Sequence, residues 1–390
     1  MRIGPLLLAA MLASAPLAAQ PAKPNVVILV ADDWGFSDVG AFGGEMRTPN
    51  IDALARGGVR FSNFHVAGSC SPTRAMLQTG VSHHRAGLGN MPETIPPEHV
   101  GKPGYDQVLS LNVATLASLF RDAGYLTFLT GKWHLGKTPD RLPTARGYVH
   151  AFSMSDAGAD NFEQRPIEGL YEKADWTEDV KPATLPADYY SSTFIVDRTI
   201  GYIERARSGR QPFFASVNFL ANHTPVQAPD ADIARYAGRY GAGWSVLRAE
   251  RAARVAQAGI LPGARARAIP ADLDWSSLDA DERALKPRAM AAYGGMAEAM
   301  DREVGRLVAH LKKTGVYDNT IFVFLSDNGA EALDPAKGFA SGLNIRFYYD
   351  TALEAVGRRN SFTAVGKGWA LASVSPLAGY KFTAFEGGLL

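Results

Sequence analysis

The chain has 390 residues, with 40 Lys and Arg against 39 Asp and Glu for a formal net charge of +1. That balance excludes a basic nucleic-acid footprint, and the length gives ample chain for a sizeable core, in one large α/β domain or two smaller ones. A single cysteine excludes an internal disulfide framework.

Residues 1–20 read as a secretory signal: Arg2 supplies the positive start, Leu6 to Leu12 the apolar run, and Ala18-Ala19-Gln20 the small-residue exit. The run is too brief to span a bilayer, and no other segment approaches spanning length. The expectation is an exported, periplasmic protein handled by the export machinery, with no transmembrane span.

Short apolar runs then end abruptly in polar clusters. Asn25 to Val30 stops at Asp32-Asp33, and Tyr125 to Leu129 stops at Gly131-Lys132-Trp133-His134. Phe213 to Phe219 stops near His223, and Ile321 to Leu325 stops at Asp327-Asn328-Gly329. Such runs, separated by helical patterns, predict strands of a parallel sheet buried on both faces. In open α/β sheets ligands collect beyond the carboxyl ends of the strands, so these four ends point to one cleft.

The helices between them are readable as well. Pro49 to Ala55 starts one, closed by Gly57-Gly58. Residues 112–121 place Val113, Leu116, Leu119 and Phe120 on one face, and 288–313 carry Met296, Met300, Val304, Leu307 and Leu311 at helical spacing. Residues 222–286, rich in Ala, Arg and Gly, predict an inserted helical and loop segment whose arginines form a solvated face. Residues 333–376 read as a long excursion before a last strand.

Cys70 has no internal partner in a chain expected to be exported, which leaves it buried and inert, reactive, or converted into another group. Pro72 suits the first turn of a helix, so Cys70 falls at a helix N-terminus, where free N–H groups favour an anion. Arg74, one turn on, is placed to hold an oxyanion or a thiol-derived group. Asp32, Asp33, Asp327 and Asn328 are all oxygen donors, a hard set that suits calcium or magnesium and leans to calcium.

Cys70-Ser71-Pro72-Thr73-Arg74, followed by Leu77-Gln78-Thr79-Gly80, resembles the C-x-P-x-R signature of the type I sulfatases, bacterial arylsulfatases in particular. Lys132-Trp133-His134-Leu135-Gly136 resembles their second signature. Asn25-Val26-Val27 through Asp32-Asp33-Trp34-Gly35, Thr48 to Asp52, and Leu325 to Glu331 fit in the same order. The resemblance runs from about residue 24 to the end. It implies an alkaline-phosphatase-like α/β fold, a large mostly parallel or mixed sheet with helices on both faces. That family's chains continue past Glu386-Gly387-Gly388 with another core strand and a C-terminal subdomain, so the expected organisation is a signal at 1–20 and a catalytic domain over 24–390, truncated at its C-terminal end.

The resemblance further implies that a formylglycine-generating enzyme converts Cys70 to formylglycine, whose hydrate attacks the sulfur of a sulfate ester. It implies one calcium ion held by Asp32, Asp33, residue 70, Asp327 and Asn328. Arg74 and Lys132 then stabilise the ionised diol, His134 accepts a diol proton during sulfate release, and His223 and Lys381 bind sulfate and protonate the leaving oxygen.

Other readings stay open beside this one. The same scaffold serves phosphodiester and phosphonate monoester hydrolysis, and a truncated remnant would at most bind an oxyanion. A cysteine hydrolase leaves the oxygen ligands unexplained. His83-His84 lacks a partner cluster and is assigned to a loop. Trp34, Trp133 and Trp176 suit either an aryl pocket or core packing.

Overall fold

The computed structural model describes residues 23–389 apart from 168–172, 208 and 210, so the leader expected over 1–20 lies outside the described residues. In chain order the elements are β1 (Asn25–Ala31), α1 (Pro49–Arg56), α2 (Cys70–Thr79), α3 (Leu116–Asp122), β2 (Leu126–Lys132), β3 (His150–Met154), β4 (Trp176–Glu178) and β5 (Lys181–Pro182). There follow α4 (Ser191–Arg207), β6 (Phe213–Asn218), α5 (Asp230–Ala234), α6 (Trp244–Gln257), α7 (Ala280–Lys313), β7 (Thr320–Ser326), α8 (Phe339–Tyr348), α9 (Lys367–Ser373) and α10 (Glu386–Leu389).

The strands form one mixed sheet in the order β5-β4-β3-β2-β6-β1-β7. β1, β2, β3, β6 and β7 are parallel, and β4 and β5 extend one edge antiparallel. Along β1, Val27, Leu29 and Ala31 enter one core with residues of α4 and α7, while Ile28 and Val30 enter a second with residues of α2 and α3. Period-two alternation of uniformly apolar residues is what a strand covered by helices on both faces requires. Val30 and Gly131 both pair with Asn218, and Ala31 pairs with Ser326, so the carboxyl ends of β1, β2, β6 and β7 finish level.

Several expectations need correction. α3 begins at Leu116 because the Thr115 hydroxyl accepts from the Ser118 N–H while the Ser118 hydroxyl accepts from the Thr115 N–H, a reciprocal cap. In that register Leu119 points outward and is 58% exposed. β7 is not buried on both faces: it is an edge strand, and Ile321 and Val323 are exposed. No strand follows residues 333–376 among the described residues. That stretch forms α8 and α9, and the chain then turns into α10, whose backbone bonds loops, Gly329 N–H donating to the Gly388 carbonyl and Gly387 N–H to the Ala378 carbonyl.

The arginines of α6 are not a solvated face either. Arg248 and Arg251 are buried. Arg248 donates to the carbonyls of Arg267, Leu371 and Leu377, and Arg251 pairs with Asp38 and with both carboxylate oxygens of Glu45 at 2.8 Å. A guanidinium survives burial when its donors are met in this way.

α7 carries Met296, Met300, Val304, Leu307 and Leu311 inward, as its spacing predicts. It starts at Ala280, earlier than the periodicity indicated, because the Asp279 carboxylate caps the Glu282 N–H at 2.8 Å. Its Asp301 accepts from the N–H groups of Asn50 and Ile51 at the start of α1. Trp133 and Trp176 are buried in the two cores and Trp34 is packed against Phe324, so all three serve packing.

Candidate active site

The polar residues after β1, β2 and β7 converge because β1 and β2 flank β6 and β7 lies beside β1, all parallel. Asp32 and Asp33 follow β1 directly. The Asp32 N–H donates to the Ala221 carbonyl, and the Asn222 N–H donates back to the Asp32 carbonyl, tying this turn to the β6 end. Asp33 takes φ of 60°, a left-handed conformation that aspartate tolerates better than most residues. The Tyr293 hydroxyl of α7 braces it by donating to the Asp33 carbonyl at 3.0 Å. After β7, the Asp327 N–H donates to the Ala31 carbonyl, and the Asn328 amide donates to Asp33 Oδ1 at 2.7 Å.

Cys70 opens α2 and is fully buried. Its Sγ lies 3.6 Å from Asp32 Oδ1 and 3.9 Å from Asp33 Oδ1. Ligand atoms of Asp32, Asp33, Cys70 and Asp327 all fall within 4.8 Å of one another. Asn328 Oδ1 is buried beside them without a hydrogen-bond partner. An unsatisfied buried acceptor is costly, and together with three carboxylates it forms the oxygen-rich donor set that a hard divalent cation takes.

The cations interleave with these acids. Arg74 reaches Asp327 Oδ2 through Nε at 2.8 Å and Nη2 at 2.7 Å, and Asp32 at 3.4 Å. Lys132 Nζ lies 2.6 Å from Asp32 Oδ2. Lys381 Nζ lies 2.8 Å from Asp33 Oδ1 and 3.1 Å from Glu331 Oε2. Burial works against the charge on each of these side chains, but Asp327 and Asp32 outweigh it for Arg74, Asp32 outweighs it for Lys132, and Asp33 outweighs it for Lys381. All three remain firmly protonated. Burial likewise opposes the Asp33 charge, yet Lys381, with Lys132, holds its carboxyl well below the usual range. Asp327 is pushed up by burial and by Asp32.

Burial pushes the Cys70 thiol up, and Lys132 and Lys381 do not overcome it. A protonated thiol is a poor nucleophile. This argues against the cysteine hydrolase.

The histidines differ from one another. His223 Nδ1 lies 2.6 Å from the Thr224 carbonyl, which only accepts, so Nδ1 carries the hydrogen. Its Nε2 then faces Asp33 Oδ2 at 3.7 Å with a lone pair. Burial, aided by Lys132 and Lys381, lowers its pKa to about 3 against the attraction of Asp33. His134 sits just past β2 with Nε2 3.2 and 3.1 Å from the two oxygens of Glu93. Burial lowers its pKa too, with Glu93 opposing and Lys132 and Arg74 assisting.

Every site residue expected from the sequence, Asp32, Asp33, Cys70, Arg74, Lys132, His134, His223, Asp327, Asn328 and Lys381, is buried in this one region. The His83 and His84 rings lie 4.3 Å apart, tilted by 41°, in a loop. Sequence reasoning missed Glu93, which sits in an unremarkable Pro92–Thr94 turn, and Tyr293, hidden in the apolar face of α7. It also missed Gly158, where a Cβ would come within 2.7 Å of the His223 ring. Glu331 lay within a quoted motif, but its contact with Lys381 was invisible there.

The family model described as Sulfatase matches residues 24–355. The chain is 38% identical over 384 residues to the arylsulfatase of Klebsiella aerogenes, covering 97% of this chain and 82% of that protein. It is 38% identical over 392 residues to an uncharacterized sulfatase of Schizosaccharomyces pombe, covering 95% of this chain and 69% of that protein. Among solved structures, Ps i-CgsB in complex with k-i-k-neocarrahexaose superposes with a TM-score of 0.63 at 26% identity, over 94% of this chain and 64% of that one.

Proposed function

The chain belongs to the sulfatase family, whose chemistry is sulfuric ester hydrolysis, and from that premise we propose that it hydrolyses sulfate monoesters, aryl sulfates among them, at the cluster around Cys70. The observation that carries this reading is the interleaving of Asp32, Asp33, Asp327 and Asn328 with Arg74, Lys132 and Lys381 around one buried side chain at a helix N-terminus.

The orphaned Asn328 Oδ1 and the converging carboxylates fit a calcium ion, which Asp32, Asp33, Asp327 and Asn328 would hold. When bound, the ion supplies a Lewis acid for the sulfate oxygens and for residue 70. Cys70, protonated and buried at the C-x-P-x-R position, fits a precursor better than a finished nucleophile. Converted to formylglycine by its generating enzyme, it supplies a hydrated aldehyde with one hydroxyl for attack and one for release.

The remaining work belongs to the side chains. Arg74, Lys132 and Lys381 face the four carboxylates of Asp32, Asp33, Asp327 and Glu331, so a divalent cation is what turns the site to the positive surplus that an anionic ester requires. Fixed charges in a buried site stabilise developing negative charge without reorganisation. His134 holds a proton taken at residue 70. His223, neutral before substrate arrives, gains basicity beside an anionic ester, which suits a group that hands a proton to the leaving oxygen. Lys381 keeps its proton and holds sulfate. Export through the expected 1–20 leader belongs to the same proposal; no helix among the described residues is long and apolar enough to cross a membrane.

The deciding experiment compares kcat/KM on matched aryl sulfate and aryl phosphate diester substrates, with calcium, for protein made beside a formylglycine-generating enzyme. A preference for the sulfate by tenfold or more, on the order of 1.4 kcal/mol, supports this reading. A preference for the diester moves the chain to phosphoryl chemistry on the same scaffold.

A further inference from the structure

The His134 ring is 2% exposed, and Nε2 faces a carboxylate, that of Glu93, at 3.2 and 3.1 Å. An ionised carboxylate only accepts hydrogen bonds, so Nε2 carries the hydrogen. In the neutral ring Nδ1 is then a bare lone pair, and in this structure Nδ1 is buried with no hydrogen-bond partner. A buried acceptor left open costs stability, so its presence points to a group that it receives.

Two further observations tie this pair to the elements around residue 70. Met91, two positions before Glu93, shares a small buried cluster with Cys70 and Ala157. The turn that carries Glu93 is held by the Asn90 side chain, which donates to the Thr94 carbonyl and accepts from the Met91 N–H and the Thr94 hydroxyl. From the other side, His134 follows Trp133, whose N–H donates to the Met154 carbonyl and whose indole donates to the Arg141 carbonyl. Glu93 is thus carried by a turn whose Met91 is buried in one cluster with Cys70, and His134 by the backbone that leaves the end of β2.

We propose that Glu93 is a positioning residue: it locks His134 in the Nε2–H tautomer, so that Nδ1 alone serves as the proton acceptor toward residue 70. The inference rests on the proposed function for its meaning, but the tautomer is a property of the chain itself. When Nδ1 takes a proton, the ring becomes an imidazolium with hydrogens on both nitrogens, and the Glu93 carboxylate offsets its charge. Removing Glu93 frees the ring to rotate or to move its hydrogen to Nδ1, which ends its usefulness as a base.

The test uses the full chain with isotope-labelled histidine and long-range proton–nitrogen correlation, the His134 signals being assigned by their loss in His134→Asn. The wild type is expected to show a protonated Nε2 and an unprotonated Nδ1. Glu93→Gln keeps that pattern because the amide oxygen still accepts, and Glu93→Ala gives mixed tautomers. On an aryl sulfate, Glu93→Ala lowers kcat on the order of 100-fold, a typical share of general acid–base catalysis, with KM within about twofold, and Glu93→Gln recovers most of the loss. A structural staple would instead lower thermal stability and leave tautomer and kcat in the folded fraction unchanged. A protonated Nδ1 in the wild type, or unaltered ring signals and kcat in Glu93→Ala, overturns the proposal. If Glu93→Ala does not fold, the wild-type tautomer and the Glu93→Gln variant decide it. Absence of sulfate release by the wild type would count against the proposed function, while the ring signals still judge Glu93.

Discussion

Lys381 Nζ sits 2.8 and 3.0 Å from the two oxygens of Asp33, joining positions 348 residues apart. The contact closes the site: a side chain near the last helix neutralises a carboxylate at the end of the first strand. Both are buried, so each needs the other, and removing one partner of such a pair costs on the order of 3–5 kcal/mol. Lys381→Ala is therefore expected to lower the melting temperature as well as turnover, whereas Lys381→Arg keeps the charge and loses mainly turnover. A melting temperature unchanged in Lys381→Ala would contradict the pairing.

Residue 70 gives the second prediction. Cys70→Ala abolishes sulfate release, and peptide mass spectrometry across residues 66–85 finds the aldehyde in place of the thiol when the generating enzyme is present. An active protein with an unmodified thiol would remove formylglycine from the mechanism.

Calcium gives the third. The cluster around Asn328 Oδ1 binds the ion in calorimetric titration, and calcium at about 100 times its dissociation constant stabilises the fold by about 2.7 kcal/mol. Chelation reverses both the stabilisation and the activity. Asn328→Leu weakens calcium binding by tenfold or more, and equal affinities in variant and wild type would rule out this residue as a ligand.

The buried pair between Arg251 and Glu45 yields a pH dependence. Burial works against the Glu45 charge, but Arg251 outweighs it and holds its pKa down to about 2 against 4.5 for the free side chain. A depressed carboxyl stabilises the fold above its unfolded pKa and loses that contribution as pH falls from about 4.5 toward about 2. Asp38, on the same arginine, is raised by burial and works in the opposite direction. The Glu45 contribution is therefore read as the stability gap between wild type and Glu45→Gln, on the order of 3 kcal/mol near neutrality, shrinking as pH drops through that window. A gap independent of pH would show that the pair carries no linked proton.

Gly158 gives a steric prediction. An added Cβ meets Ile167 Cδ1 at 2.5 Å and the His223 ring at 2.7 Å, so something must shift. Gly158→Ala is expected to displace His223 and lower kcat/KM roughly tenfold, since small misplacements at a reacting centre are costly. Overpacking of this kind typically costs about 1–3 kcal/mol of stability. Unchanged kinetics would mean that the ring has room to retreat.

The fold class, the two-faced central strands and the ligand-bearing strand ends were legible from the sequence, because local period and composition report burial directly. Residues such as Asp32, Cys70, Lys132 and Asp327 carry their chemistry in compact motifs, and their gathering followed from the rule that parallel strands deliver their carboxyl ends to one side. Leu119 was misread because a reciprocal cap at Thr115 and Ser118 set the helix register, a matter of hydrogen bonds between two polar residues and not of hydrophobic spacing.

Only the tertiary structure decided the rest. Arg248 and Arg251 look solvated in sequence and are buried, because Asp38, Glu45 and a row of carbonyls more than a hundred positions away satisfy their donors. Glu93 and Tyr293 carry no local signal at all; each matters through contacts with residues of distant elements. Sequence by itself determined which strands bury and which side chains carry chemistry, since those are properties of single residues and short periods. Which charges are paired, which histidine nitrogen is bare and how Lys381 reaches Asp33 depend on contacts between distant segments, and only the packed chain brings those atoms within hydrogen-bond distance.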